Sequence, residues 1–130
     1  MQPITFFEIA SQHARWLSER QKVVSENIAH ASTPHYRAKD VSSFESVLNN
    51  NFDMDRTHVS HLKESDSQGF HIKTRIVQAP LDQAIGVQVS GNTVGLTNEL
   101  YKSGYIKNLY DLNTRLVGKL NSMMMSIVKG

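Results

Sequence analysis

Apolar side chains recur at alternating spacings of three and four near the start of the chain, through Phe7, Ala10, Ala14, Leu17, Gln21, Val24, Ile28 and Ala31, with Gln21 the one polar member. That is the a/d repeat of a coiled-coil seam. A flanking row of Phe6, Ile9, Trp16 and Val23 widens the stripe, so the helix has two sides to bury. From Gln2 to Ala31 there is no glycine, and the only proline, Pro3, falls where a missing N–H is harmless. The pattern predicts one long helix over 1–32.

The other end repeats the message from about Leu96. Ile106, Leu109, Leu116, Leu120, Met123 and Ile127 fall at spacings of three, four and seven, Asn113 is polar within the row, and Leu112, Val117 and Met124 thicken it. A second long helix is predicted within 92–130. Gly104 and Gly118 each cost about 1 kcal/mol relative to alanine inside a helix, so this one needs packing partners.

Between the two, over 33–91, the long periodicity disappears. Ser42 with Glu45 three positions on reads as a capping box for a short helix from Ser43 to Leu48, which Asn49-Asn50-Asn51 would end. Phe70, Ile72, Thr74 and Ile76 alternate with polar residues, as do Ile85, Val87 and Val89, with Ala79-Pro80-Leu81-Asp82 as turn material. This predicts a small β-ribbon between those two runs, and Glu64–Gly69 reads as a flexible tip. The fold class is mainly α: two long terminal helices paired as a coiled coil around a short loop-rich middle, all one structural unit.

Composition narrows function more than fold. With 130 residues there is room for about one domain, and hydrophobic residues at 39% with charged residues at 20% place the chain among folding sequences. A net charge of +2 is too small to argue for nucleic acid; the best basic-aromatic stretch, Tyr36-Arg37-Ala38-Lys39, runs straight into Asp40. The absence of cysteine removes disulfides and thiolate chemistry. No run of some 18 apolar residues suggests a membrane span, and the start of the chain lacks the layout of a cleaved signal peptide.

No enzyme signature is visible. His58-x-x-His61, with His71 as a third candidate, lies in polar loop sequence without an accompanying carboxylate or cysteine set. His13 and His30 sit on the first helix without ligand-type partners, and Asp53 and Asp55 read as solubilising loop charge. Neither a nucleophile elbow nor a phosphate-binding glycine loop occurs. The expectation is no catalytic residue, no metal and no cofactor. The weak polybasic character around Met123-Met124-Met125 favours helix packing over membrane docking.

Asn27-Ile28-Ala29-His30-Ala31-Ser32-Thr33-Pro34-His35-Tyr36-Arg37-Ala38-Lys39-Asp40 closely resembles the NIANxxTPGYxAxD motif of the bacterial flagellar rod and hook axial proteins. It lies at the end of a long N-terminal helix, as in that family. Gly91-Asn92-Thr93-Val94 before the last helix resembles the GNTV segment of the proximal-rod members. Four positions depart from the pattern: His30 for asparagine, His35 for glycine, and Gly95 and Thr97 where aspartates are common. The physical reading of the motif is a helix exit, since Pro34 biases Thr33 away from helical angles and Tyr36 packs back as an anchor. Asn27 is placed to bond a neighbouring chain or the following loop. A histidine at 35 takes positive φ less cheaply than glycine, so the turn is expected to differ locally.

The resemblance implies a structural subunit of the proximal rod of the flagellar basal body, part of the drive shaft that transmits torque and encloses the export channel. Implied partners are copies of itself, FlgC, FlgF, FlgG, FliE, the MS-ring and export-gate base, and the type III export apparatus, with no nucleic acid or small-molecule substrate. Implied location is the periplasm, reached without a cleaved signal. The motif residues Asn27, Ile28, Ala29, Thr33, Pro34, Tyr36, Gly91, Asn92, Thr93 and Val94 are the candidate assembly site. Phe7, Leu17, Val24, Leu109, Leu116, Leu120, Met123 and Ile127 are expected to pair the helices within a subunit, and Trp16 to pack on neighbours. The rival class is a small helical adaptor or secretion-chaperone-like module, which the two helices alone would equally serve; a metal enzyme using His58, His61 and His71 is a distant third.

Overall fold

The computed structural model describes residues 3–52, 74–81 and 86–130. Along the chain these form α1 (Pro3–Ala29), β1 (Lys39–Val41), α2 (Phe44–Phe52), β2 (Ile76–Gln78) and α3 (Leu96–Lys129). His58, His61, His71, Asp53, Asp55 and the segment 64–69 lie outside the described residues, as does Ile85.

The two long helices pack antiparallel. Asn113 Nδ2 donates to the Ala10 carbonyl at 2.9 Å, Gln21 Nε2 to Ser103 Oγ at 3.1 Å and Asn27 Nδ2 to Glu99 Oε2 at 3.1 Å, so positions climb on one helix as they fall on the other. Gln21, the polar interruption of the α1 row, is therefore matched by a polar partner across the seam rather than left to desolvate alone. No helix among the described residues is long and apolar enough to cross a membrane.

The second row of α1 is covered from within. Trp16, Leu17, Val23 and Val24 share one buried cluster with Val41 of β1, Val47 of α2 and Ile106 of α3, and Ile28, Phe44 and Leu109 pack against it. Trp16 is only 7% exposed, and its Nε1 donates to the Ser42 carbonyl at 2.8 Å. Its expected contact with neighbouring subunits is thus corrected: the middle segment occupies that face, because an indole needs both apolar cover and an acceptor, and Phe44 and Ser42 supply them.

Three local expectations change. Helix α2 starts at Phe44, its lead-in residue Ser43 accepts the Ser46 N–H at 3.3 Å where Ser42 was expected to cap, and it continues through the asparagines to Phe52. The small sheet is antiparallel as predicted in kind, but its partners differ: Ile76 pairs with Val41 and Gln78 with Lys39, while Val87 and Val89 are not in a strand. A motif exit running extended past α1 offers free backbone groups to 76–78, which a ribbon confined to 70–89 would have ignored. Finally, α1 ends at Ala29, short of residue 32.

Candidate functional site

The early end of α1 is explained by what waits there. Asn92, fully buried, aims Nδ2 at the carbonyls of His30, Ala31 and Thr33, at 2.8, 3.1 and 2.8 Å. These are carbonyls freed at the helix end, where the chain can no longer satisfy them in the helical ladder. The Asn92 Oδ1 accepts the Val94 N–H at 2.7 Å, which holds the side chain in place. Thr33 and Pro34 themselves are exposed and shape the turn rather than bury in it.

Asn27 works in the opposite direction, from helix to exit strand. Its Oδ1 accepts the Lys39 N–H at 3.0 Å and the Tyr36 hydroxyl at 3.2 Å, while Nδ2 donates to the Lys39 carbonyl at 2.7 Å and to Glu99 Oε2. Both amide hydrogens and two acceptor directions are used at zero exposure, a set of partners that calls for a carboxamide. Of the two partners expected for Asn27, a neighbouring chain or the following loop, the loop is bonded within the subunit, with α3 as an additional partner.

The two motifs, over fifty residues apart, are stitched by two backbone–backbone hydrogen bonds and one to a threonine hydroxyl. Thr93 N–H donates to the Tyr36 carbonyl at 3.1 Å, Ala38 N–H to Thr93 Oγ1 at 2.9 Å, and His35 N–H to the Ser90 carbonyl at 2.9 Å. Val94 is completely buried beneath them, and Gly91 takes φ +79° at the turn. His35 adopts φ +59°. That is the left-handed region, which a histidine enters less cheaply than a glycine, and the Ser90 hydrogen bond and the Asn92 bond to the Thr33 carbonyl hold the backbone there on both sides. His30 stacks on Tyr36 with ring centroids 4.6 Å apart, and burial, with the charges of Glu26 and Glu99, raises the Tyr36 hydroxyl pKa.

Beside Asn27 lies an ionic chain that the sequence did not signal. Glu99, 2% exposed, accepts Lys102 Nζ at 3.2 Å; Lys102 also reaches Asp40 Oδ2 at 3.5 Å; and Asp40 Oδ1 pairs with Arg20 Nε at 3.2 Å. The chain joins α3, β1 and α1. Burial alone would raise the Asp40 carboxyl, but the Arg20 hydrogen bond, the Val41 N–H and the charges of Arg20 and Lys102 outweigh it and hold it below its ordinary range. Glu99 in a first helical turn looks like an ordinary dipole-complementing acid; only its pairing with Asn27 gives it away.

Of the expected helix-pairing residues, Leu17 and Val24 are buried, and Phe7, Leu109 and Leu120 are half-buried. Leu116, Met123 and Ile127 are exposed at 50%, 50% and 80%. Met123 and Ile127 lie past the start of α1, since Asn113 already sits opposite Ala10 in the antiparallel pair. Gly95 precedes α3 as its N-cap with no side-chain cap, the role an aspartate there would fill. Among the described residues, no group of three or more metal-ligating side chains could hold a metal ion.

No family model matches the chain. It is similar to a protein of Agrobacterium fabrum named flagellar basal body rod protein FlgB, 47% identical over 133 residues that span 99% of this chain and 96% of the relative. Proteins of the same name from Yersinia ruckeri and Yersinia enterocolitica are each 32% identical over 120 residues, 87% of this chain and 86% of theirs.

Proposed function

The chain belongs to the FlgB family of flagellar basal body rod proteins, and from that membership we propose how its geometry serves the rod. It is a structural subunit of the basal body rod and assembles with other rod and basal body proteins. This replaces the adaptor and metal-enzyme readings.

In the proposed role, the paired helices α1 and α3 form the stiff axial element, and the Asn27–Asn92 clasp is the joint that keeps the motif turn rigid against them. Torque passes through such a subunit by rigidity, with no reaction at any residue, and neighbouring copies together enclose the export channel. The specific neighbours proposed are copies of the chain with FlgC, FlgF and FlgG, with FliE and the MS-ring and export-gate base below. The subunit is delivered to the periplasm by the type III export apparatus without signal cleavage. The site roles of Asn27, Tyr36 and the Gly91–Val94 segment belong to this proposal.

The observation that carries it is the convergence of the two motif segments on one clasp. A joint with Asn27 at zero exposure and all four polar contacts satisfied resists bending, whereas an adaptor hairpin needs only the helices. Deleting the gene in its native host and imaging isolated envelope complexes tests the reading. Rings without a projecting rod, restored by the intact gene, are expected; normal rods and swimming would overturn it.

A further inference from the structure

Helix α2 is held to the rest of the chain by apolar side chains. Among the described residues, Phe44 to Leu48 make no hydrogen bond or ion pair to another element: Ser46 N–H bonds Ser43 Oγ at 3.3 Å and Val47 N–H the Ser43 carbonyl at 3.1 Å, both within the turn that starts the helix. What seats the helix is Phe44 and Val47, packed into the cluster with Trp16 and Val23 of α1, Val47 at 3% exposure. The Trp16 bond to the Ser42 carbonyl lies just ahead of it and forms a hinge. Nine residues on such a hinge can leave as a unit, because no polar contact has to break first.

A titratable ring lies against Phe44. The His13 imidazole is 4.8 Å from the Phe44 ring, stacks on the Trp16 ring at 5.9 Å with 12° between the planes, and has no hydrogen-bond partner among the described residues. The same indole already meets a cation, the Arg20 guanidinium, 5.4 Å from its ring centroid. Charged groups on the surrounding elements are committed elsewhere: Arg20 of α1 and Lys102 of α3 both pair with Asp40 of β1, while Glu45 of α2 and Arg75 of β2 are exposed. No carboxylate is bonded to His13, so an imidazolium there has nothing to offset its lost hydration.

We propose that His13 is a proton-operated release for α2: on protonation the ring has to regain water, which lifts Phe44 and the helix behind it and uncovers Trp16 on α1. Burial lowers the His13 pKa from 6.5 while α2 is seated. Lifting α2 returns it towards 6.5, so just below that pH the open form binds the proton and the seated form does not. The ratio of open to seated chains then rises by up to about tenfold per pH unit, until the seated form protonates as well. Above pH 6.5 the ring is neutral and α2 stays shut. The device does not depend on the rod reading, which the gene deletion tests separately.

The test uses the full chain, which contains no cysteine, so a single introduced thiol reports on its own site. Val47→Cys places one on the buried side of α2, and Leu17→Cys places one at a fully buried position of α1. Each variant is reacted with dipyridyl disulfide, and its rate is divided by that of the same chain unfolded in urea at the same pH, which removes the intrinsic pH dependence of the thiol. From pH 6.5 to 5.5 the normalised rate at position 47 should rise about threefold to tenfold while that at position 17 stays level. Adding His13→Gln should abolish the rise, and His13→Leu serves as a second uncharged replacement should the first unsettle the fold. A level rate at position 47, an equal rise at position 17, or a rise that survives replacement of His13 would overturn the proposal.

Discussion

The Nδ1 atom of His35 lies 2.7 Å from the point where a Cβ on Gly91 would sit. Gly91 is at φ +79° and His35 at φ +59°, so two residues in the left-handed region face each other across the clasp. The imidazole fills the space that a side chain at position 91 would need.

Gly91→Ala should destabilise the chain by about 1–3 kcal/mol, from left-handed strain and the collision with the imidazole. His35→Gly should stabilise it by up to about 1 kcal/mol, the relief of strain exceeding the added freedom of the unfolded glycine. In the double variant the alanine should cost about 1 kcal/mol less than in the parent, because the collision is gone while the φ strain stays. Urea melts of the four chains measure the coupling, and simple additivity would mean the two residues do not sense each other.

Asn27→Ala should cost about 3 kcal/mol, since it strands the Lys39 backbone groups and removes a donor from buried Glu99. The loss should appear at low and high salt alike, because the partners are buried hydrogen-bonding groups rather than screened surface charges. Thermal melts at two ionic strengths check both parts.

Trp16→Ala should destabilise the isolated subunit by about 3–5 kcal/mol, the penalty for emptying a core site between α1 and α2. A melt unchanged from the parent would return Trp16 to the list of contacts between subunits.

Two groups give opposite chemistries but the same sign of pH dependence. Asp40 titrates below its ordinary value near 3.8 in the folded chain, so its contribution is fully present above that pH and is lost as the pH falls through the folded value. His13 stands 4.8 Å from the Phe44 ring and 5.9 Å from that of Trp16, and burial lowers its pKa from 6.5. Its neutral form is the one the fold prefers, so stability should decline as the pH falls below about 6.5. Denaturant midpoints between pH 7 and 3 should fall in two stages, with His13→Gln flattening the upper stage and Asp40→Asn the lower.

Helix periodicity carried the architecture because burial against a long partner imposes a repeat that survives in sequence. Phe7 through Ile28 and Ile106 through Leu120 were legible for that reason, and so was the motif exit, since Pro34 constrains its own backbone. The strand pairing of Val41 with Ile76 was not legible: three-residue strands bury too little to leave an alternation, and their register is set by where the clasp releases the chain. Asn92 was marked by resemblance, yet its grip on three carbonyls needed coordinates, as did Glu99, whose burial depends on an asparagine 72 positions away. Met123 and Ile127 fit the α3 repeat yet are exposed, because where α1 stops along its partner is not written in the periodicity of α3.

The most direct measurement is to place the chain itself in the motor. A short epitope tag on the full chain, in a strain lacking the untagged copy, can be located by antibody-gold labelling of purified basal bodies. The account predicts label confined to the rod, at its base near the membrane ring, on structures that rotate and support swimming. Label found only in the soluble fraction, or on the basal body away from the rod, would contradict it.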